Sequence, residues 1–557
     1  MLLIVCALTV WLIRSPLTSQ PLAHTVVPVS LGNLGSVAFP TSCTPQAHTR
    51  FLRGLAALHS FWYPVALDEF RTTTSIDPNC TMGYWGEAMA HNHPLWGDPQ
   101  ETNAARQVLE NIRITPVVTD HERAYIEAVT ILFGEGEKAA RDRAYAAAME
   151  EIYRTYSDDK EAALLYALAL MGSAGEGSEG LDRRLCAGAI ASRVLEEKPN
   201  HPGAAHYTIH AYDDPQYAHL ALHAARRYAE IAPDAPHALH MPSHIFLQLG
   251  LWSEAAASNE ASWAASEQWV KRENLPVSHR DYHSLRWLMY ALLQQGRDAK
   301  AREQLTLMRE SFARFPKDDP YNLMFGALTQ AQMAATFVIE TEQWTATEQW
   351  LQPAGEMKAQ PDGAPHPYQT YAVVARVPAI FARGLSDAAK GSVEARESIS
   401  KLREIRKQSV DIAEPSIVHV AKIAEIQELE IAAKLQAAKS DFDEAITLME
   451  QASLLMEAMP SPSGPPTVIK PPHELFGEIL LQAGRPNEAS EQFSVSLRRH
   501  QNRARSLLGA ARAAAQSGDA QSAATFYRQF AGQWQRAGVQ SPELREAQEY
   551  LTEEERP

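Results

Sequence analysis

The sequence is short of basic residues and of familiar enzyme motifs, and each shortage narrows the possible functions. Lysine and arginine total 51 against 67 acidic residues, which gives a net charge of −16. This balance argues against nucleic acid or an anionic membrane as the main partner. The net negative charge suits cationic ligands or metal ions better. The alternative explanation of this charge is a solvated acidic surface without a specific ligand. No HExxH sequence, paired CxxC sequence or phosphate-binding glycine loop occurs.

Strand-like alternation of β-branched residues is also scarce, and Ala-rich and Leu-rich stretches dominate. This composition predicts an almost entirely helical protein. At 557 residues the chain is long enough for several cores or one long repeat array. Pro-rich stretches at 353–367 and 460–472 interrupt it, and no segment suggests a second fold.

The first 23 residues are interpreted as an export signal. They begin MLLIVCALTVWLI, an apolar run that is too short for a comfortable membrane span and has the length of a signal-peptide core. A basic segment ahead of this run is missing, but Pro21-Leu22-Ala23 is a tolerable processing site. We therefore expect a signal peptide at 1–23, export to the periplasm, and membrane contact only through an uncleaved leader.

Two of the four cysteines are candidates for a disulfide. Cys43 and Cys80 flank the first helical pair, whereas Cys6 lies in the leader and Cys186 stands alone. A Cys43–Cys80 bond would add about 4 kcal/mol of stability in the loop-entropy model. Because such a bond persists only in an oxidising compartment, it agrees with export. The alternative is a pair of buried thiols.

Small and aromatic residues recur at fixed spacings along most of the chain. They are Gly54, Ala66 and Phe70; Ser243, Gly250, Trp252 and Ala255; Gly477, Gly484, Ala489 and Phe493; and Ala511, Gly518, Ala523 and Tyr527. Small residues at fixed points let antiparallel helices approach closely, and the aromatic rings fill the space beside them. With a period of about 34 residues, the pattern over residues 45 to 545 resembles the tetratricopeptide repeat family.

Several phrases resemble one subgroup of that family, the exported and mostly uncharacterised bacterial repeat proteins. They are LHSFWY (58–63), YWGEAM (84–89), HPLW (93–96) and HALHMPSHIF (237–246). The resemblance implies an all-α solenoid, a right-handed superhelix whose concave face comes from the first helix of each pair. It implies binding more often than catalysis. We expect an N-terminal extension at 24–45, an array with a His-rich concave face at 46–350, and a second array at 351–557.

Histidines cluster in residues 206–283, which hold nine of the chain's 20 histidines. Seven of them concern the predicted inner face, namely the His-x3-His pairs His206/His210, His240/His244 and His279/His283 together with His237, whereas His219 and His223 are assigned to the second helix of a pair as packing residues. His237, His240 and His244 precede the turn residue Gly250 by 13, 10 and 6 positions, and His283, Arg286 and Tyr290 precede Gly296 by the same intervals. Such offsets fan over about 60° of a helix. The pattern predicts that the first helices of three consecutive repeats present these side chains on one shared face.

Metal binding is the favoured interpretation of this cluster, because neutral imidazole is a metal ligand near pH 7. Histidines at i and i+4 share a helix face and can chelate one ion. The expected ligands are His206, His210, His237, His240, His244 and His283, with Asp213 or Asp214 as carboxylate partners. The expected cofactor is a divalent transition metal, namely zinc, copper, iron or manganese.

Other interpretations stay open. The histidines can recognise a small polar ligand or a peptide directly, or form structural hydrogen-bond networks. At the level of the whole protein, the rivals are a metal-dependent, hydrolytic enzyme with Glu87 or an aspartate as base, and a metal-free scaffold for protein partners. Further ligand-binding candidates on the concave face are Arg286, Tyr290, Glu87, His91 and His59.

Charged residues also mark the second array. Glu474 and Glu478 occupy the inner-face positions of one repeat, and Arg505 and Arg512 occupy those of the next, with Lys470 just before. This mixture suits a peptide carboxylate or a charged partner loop, and a solvated, salt-bridged face is the alternative.

Overall fold

The fold is that of a computed structural model, which describes residues 33–95, 100–112, 118–175, 177–351, 374–410, 415–535, 537 and 541–554. The signal peptide expected at 1–23 lies outside the described residues, as do residues 24–32 of the N-terminal extension and the Pro-rich stretch at 353–367. All regular secondary structure in the described ranges is helical. The expected all-α class is therefore confirmed.

Seventeen α-helices are described in the range expected for the first array. They are α1 (Pro45–His59), α2 (Tyr63–Ile76), α3 (Thr81–Ala90), α4 (Thr102–Leu109), α5 (Asp120–Leu132), α6 (Lys138–Thr155), α7 (Lys160–Gly172), α8 (Gly177–Glu197), α9 (Pro202–Ala211), α10 (Leu222–Ile231), α11 (Pro236–His240), α12 (Pro242–Gln248), α13 (Trp252–Arg272), α14 (Tyr282–Gln294), α15 (Asp298–Phe312), α16 (Pro320–Thr341) and α17 (Thr347–Leu351). Short 3₁₀ helices lie at Ala218–Ala221, Val277–His279 and Trp344–Ala346.

Nine α-helices are described in the second array. They are α18 (Val377–Ala389), α19 (Ala395–Val410), α20 (Pro415–Ala437), α21 (Phe442–Glu457), α22 (Pro472–Gln482), α23 (Pro486–Arg499), α24 (Ala504–Ser517), α25 (Ala520–Trp534) and α26 (Pro542–Glu554). Successive helices pack against each other, and helices two places apart also touch, as in α1–α3, α7–α9 and α22–α24. This is the stacking of a tetratricopeptide-type helical-repeat solenoid. No described helix is long and apolar enough to cross a membrane.

The small and aromatic residues of the repeat pack as their spacing predicts. A Cβ atom added to Gly54 would lie 2.8 Å from the Phe70 ring, and one added to Gly477 would lie 2.7 Å from the Phe493 ring. Both phenylalanines are fully buried. Glycine therefore lets the paired helix bring its ring against the backbone, and the same device recurs in both arrays.

The close approach of Gly86 to the same Phe70 ring supports a stability prediction. A Cβ atom at Gly86 would lie 2.3 Å from this ring. We expect Gly86→Ala to lower the free energy of unfolding by about 1–3 kcal/mol, because overpacking forces the ring or the backbone to move. The control is Gly532→Ala, which meets nothing within 4 Å and should be neutral or stabilising through helix propensity. Chemical denaturation of both variants checks this, and equal effects would contradict the packing account.

Turn glycines end two helices that matter for the histidines. Gly250 follows α12 with φ +63°, and Gly296 follows α14 with φ +66°. Only glycine adopts this left-handed conformation without strain, so both turns lie where the sequence places them. The register counted back from these turns therefore holds.

A disulfide joins Cys43 and Cys80, as predicted, with their Cα atoms 4.6 Å apart. It ties the segment before α1 to the start of α3. Cys186 is exposed and carries a free thiol, in agreement with its isolation in the sequence.

The two arrays are joined by buried ion pairs. Arg503, which precedes α24, is fully buried and lies 2.8 Å from Glu340 of α16 and 2.7 Å from Glu474 of α22. Lys470 lies 3.1 Å from the same Glu474. Lys470 and Glu474 are therefore buried in ion pairs and do not form the solvated, charged face that was the alternative for this region. With Arg503 and Glu340 they form a dry junction between the arrays.

Candidate metal centre

Four short stretches of helix carry the six predicted histidines onto one wall. Helix α9 supplies His206 and His210, α11 supplies His237 and His240, α12 supplies His244, and α14 supplies His283. They divide into two trios, His206/His210/His237 and His240/His244/His283. In each trio, one ring nitrogen per residue lies within 4.8 Å of the others. Ring centroids 6.0 Å apart for His210–His244 and 6.1 Å apart for His237–His240 link the trios.

A break between α11 and α12 corrects the expectation of one continuous helix through His237, His240 and His244. Pro242 lacks the N–H that would continue the hydrogen-bond ladder. Met241, at the junction, keeps helical dihedral angles of φ −53° and ψ −36°. The helical phase therefore continues across the break, and the three histidines stay on one wall.

The first trio is oriented by the end of α1. The Nδ1 atom of His206 lies 2.6 Å from the carbonyl oxygen of His59 and donates to it. The Nε2 atom of His206 then carries a lone pair and lies 3.2 Å from Nε2 of His237. The Nε2 atom of His210 is buried and has no hydrogen-bond partner within the described part of the chain.

In the second trio, His240 is held in one tautomer. Its Nδ1 atom lies 2.7 Å from Oδ1 of Asn259. The Asn259 amide nitrogen donates to the carbonyl oxygen of Ala255 at 2.8 Å, which fixes the amide orientation. Asn259 therefore presents its oxygen to His240, so Nδ1 donates and Nε2 carries the lone pair.

His244 is held in the same way by Asp213. Its Nδ1 atom donates to Oδ2 of Asp213 at 2.6 Å, and Gln248 donates to the other carboxylate oxygen at 3.0 Å. A carboxylate that orients a histidine from behind is typical of metal sites. Asp213 thus supports a ligand of the second trio through a hydrogen bond.

The two fixed histidines face each other through unprotonated nitrogens. The Nε2 atoms of His240 and His244 lie 3.1 Å apart. Two lone pairs at this distance repel, so a cation, either a proton or a metal ion, belongs between them. Ligand nitrogens about 2.0–2.1 Å from a tetrahedral ion lie about 3.3 Å from each other, close to the spacing of this pair.

Burial keeps most of these rings neutral. Desolvation lowers the pKa values well below the ordinary value of a histidine, and the coulombic effect of neighbouring histidines, joined by Arg286 at His240 and His283, adds to it. This holds for His206, His210, His237, His240 and His283. Because neutral imidazole is the form that binds a metal, protons compete weakly for these nitrogens near pH 7.

Two cavities meet at the histidine wall. One, of about 570 Å³, is lined by His210, Asp213, His244 and Arg286, and by residues of both arrays. The other, of about 690 Å³, is mainly apolar and aromatic. His237 and His283 line both. Each trio therefore borders a space that a small molecule can enter.

Asp213 and Asp214, the expected carboxylate partners, do not lie on the helix that carries His206 and His210. Helix α9 ends at Ala211, so both residues lie in the following turn. Asp213 reaches back to His244, whereas the Asp214 carboxylate accepts the backbone N–H of Gln216 at 2.9 Å. Asp214 thus has the turn-forming role that Asp before Pro commonly has.

Two other candidates of the first array lie away from the wall. Glu87 accepts from Arg71 at 2.7 Å, and His91 pairs with Glu101 at 2.5 Å. Neither lines the two cavities. The structure thus places Glu87 in an ion pair with Arg71 and not beside the second trio.

His59 belongs to a third cluster that the sequence did not reveal. Its Nε2 atom lies 2.6 Å from Glu161, and His201 lies 3.0 Å from the other oxygen of that carboxylate. Nδ1 of His59 pairs with the Tyr207 hydroxyl at 2.8 Å. All ligand atoms of this group are buried and already paired, which indicates a structural network. The one sign of this cluster in the sequence is that His201 directly precedes Pro202, a pattern that marks the start of a helix.

Arg286 and Tyr290 differ in their surroundings. The Tyr290 hydroxyl accepts from Arg503 at 3.0 Å and so serves the junction between the arrays. Arg286, one turn after His283 on α14, lines the 570 Å³ cavity. Burial lowers its pKa to about 10, so it stays cationic at neutral pH.

No protein-family model and no curated protein matches the sequence. Solved structures that are similar include the TPR domain of P58(IPK), with 15% identity, 72% of this chain and 100% of that chain covered, and a TM-score of 0.22. Yeast Tom70 has 9% identity, coverage of 91% and 88%, and a TM-score of 0.23. The APC/C hetero-tetramer Cut9-Hcn1 has 11% identity, coverage of 92% and 96%, and a TM-score of 0.24. These similarities concern the fold alone.

Proposed function

We propose that the protein is a tetratricopeptide-type binding protein whose second histidine trio holds a divalent transition metal ion. The observation that carries the proposal is the opposed pair of Nε2 atoms in His240 and His244, 3.1 Å apart. Asn259 and Asp213 fix both rings with their lone pairs turned inward. A metal ion occupies that space better than a proton because His283 offers a third nitrogen within 4.8 Å.

The donor set narrows the metal. An all-imidazole site suits zinc, copper or iron, whereas manganese prefers oxygen ligands. Three protein ligands beside a cavity leave a coordination position for water or a ligand, as in catalytic zinc sites. The first trio is a second candidate position, since His206 is oriented by a backbone carbonyl and His210 has an unused buried nitrogen.

We also propose export to an oxidising compartment. The Cys43–Cys80 disulfide supports this proposal because such bonds persist outside the reducing cytosol. The apolar start of the sequence supports it independently.

Zinc titration of the metal-free protein tests the metal proposal. We expect wild type to bind zinc stoichiometrically, and His244→Ala to weaken binding at least about 100-fold, because loss of a ligand should exceed the 10–100-fold cost of losing a supporting residue. Calorimetry gives the affinity, and the visible spectrum of the Co²⁺ form reports the coordination geometry.

The matched control is His223→Ala, which removes an exposed histidine of α10. It should bind zinc like wild type. Equal affinities for wild type and His244→Ala would contradict the assignment. A wild-type protein that takes up no metal would leave a metal-free scaffold.

A further inference from the structure

We infer that the 570 Å³ cavity binds a small oxyanion, a carboxylate or phosphoryl group, held by Arg286 beside the second histidine trio. The inference deepens the proposed metal site by giving the chemical class of its ligand. It also has support of its own in the unpaired arginines of the cavity.

Arg286 is a desolvated cation on the cavity wall without a counter-ion. It has neither a hydrogen bond nor a salt bridge to the residues that the structure describes, whereas the fully buried Arg503 is paired with two carboxylates. An unpaired charge in a low-dielectric site destabilises the folded protein. A protein keeps such a group when a ligand completes it, and a guanidinium matches an oxyanion through two parallel hydrogen bonds.

A second arginine faces the same space. Arg184 of α8 lines the cavity, and its Nε atom is buried without a hydrogen-bond partner among the described residues. Among the described lining residues Asp213 is the one carboxylate, and it is already occupied by His244 and Gln248. The described lining therefore carries net positive charge, in a protein whose overall charge is −16.

Metal binding would sharpen the need for an anion. The charge of Arg286 acts on the second trio: after burial it is the largest cause of the lowered pKa of His283, and it adds a smaller effect to the lowered pKa of His240. Three neutral histidines leave the two charges of the ion uncompensated. A divalent ion and a guanidinium in one cavity repel unless an anion lies between them. An oxyanion bound to the metal ion and to Arg286 would fill the open coordination position and pair with the guanidinium.

The neighbouring 690 Å³ cavity provides a contrast. Its lining has aromatic side chains such as Trp62, Trp269 and Phe325, and Asp281 is the one carboxylate among the lining residues that the structure describes. An anion is disfavoured there. The oxyanion site is thus confined to the side of the wall on which Arg286 lies.

Calorimetric titration with inorganic phosphate and, separately, with succinate tests the inference, with and without saturating zinc. We expect wild type to bind at least one of them, and Arg286→Gln to weaken that binding about 10- to 100-fold, the range of a charged hydrogen bond. Zinc affinity should survive this substitution. By linkage, zinc and the anion should each tighten the other in wild type.

Arg226→Gln, a change at an exposed arginine of α10, is the control and should bind like wild type. Thermal unfolding of Arg286→Gln checks folding, and its midpoint should equal or exceed that of wild type because an unpaired buried cation is removed.

The possible outcomes separate the two proposals. Phosphate or succinate binding that depends on Arg286 in a protein that takes up no zinc would sustain the oxyanion site and sink the metal site. Zinc binding with no anion binding, or anion binding that Arg286→Gln leaves unchanged, would overturn the oxyanion site alone. Preference between phosphate and succinate distinguishes a phosphoryl from a carboxylate ligand.

Discussion

Arg503→Met is expected to lower the free energy of unfolding by about 3–5 kcal/mol, because it removes the cation from a buried cluster and leaves acids behind. Arg503 donates to Glu474 at 2.7 and 3.0 Å and lies 2.8 Å from Glu340. Burial acts to raise the pKa of Glu474, but Arg503 and Lys470 outweigh it and hold that pKa well below the ordinary value. Without Arg503, Glu340 loses its ion-pair partner.

Chemical denaturation measures this effect, and two further variants make it specific. Arg485→Met removes an exposed arginine that pairs with Glu488 on the surface, and it should leave the midpoint unchanged. Adding Glu340→Gln to Arg503→Met should recover part of the lost stability, since it leaves one buried acid fewer without a partner. If Arg503→Met behaves like Arg485→Met, the dry junction between the arrays does not hold them together.

The metal-free protein is expected to lose stability steeply as the pH falls below about 6.5, the ordinary pKa of histidine. Burial, helped by the coulombic effect of neighbouring histidines, holds the pKa values of five wall histidines well below that value in the folded protein; they are His206, His210, His237, His240 and His283. The unfolded chain therefore takes up more protons. Stability is complete above pH 6.5 and is lost, at up to about 1.4 kcal/mol per histidine and pH unit, as the pH falls toward the folded values.

Unfolding free energies at pH 7.5, 6.5 and 5.5 measure this slope. His210→Gln should reduce the slope by about one proton, since the Nε2 atom of His210 is buried without a partner among the described residues. His223→Gln, at an exposed position, should leave it unchanged. Acidification toward the sequence pI of 5.7 lowers the self-repulsion of an acidic protein and acts in the opposite direction. A stability that is flat or rises below pH 6.5 would therefore contradict buried, neutral histidines.

The wall could be predicted from the sequence because its signal is local. Turn glycines such as Gly250 set the helical register, and histidines at fixed distances from such a turn must share a face. The same logic found the repeat through Gly54 and Phe70, which pack as their spacing requires. It failed where a proline or a turn ended the helix early, as at Ala211 before Asp213.

The partners that orient the wall were not visible, because they come from distant segments. His206 donates to the carbonyl oxygen of His59, which lies 147 positions earlier in the chain. The tautomer of His240 is fixed by Asn259, which lies on helix α13. Arg503 reaches Tyr290 across 213 positions. Superhelical packing decides which of these residues meet, and no single repeat contains that information. The sequence therefore predicted the candidate ligands but not the groups that fix their tautomers.

Elemental analysis of the mature protein, purified without a His-tag or chelator, tests the central claim most directly. We expect the wild-type protein to give a stoichiometric zinc, copper or iron signal, which disappears in His240→Ala and persists in His223→Ala. A wild-type protein that is free of metal, and stays so after incubation with these ions, would contradict the metal centre.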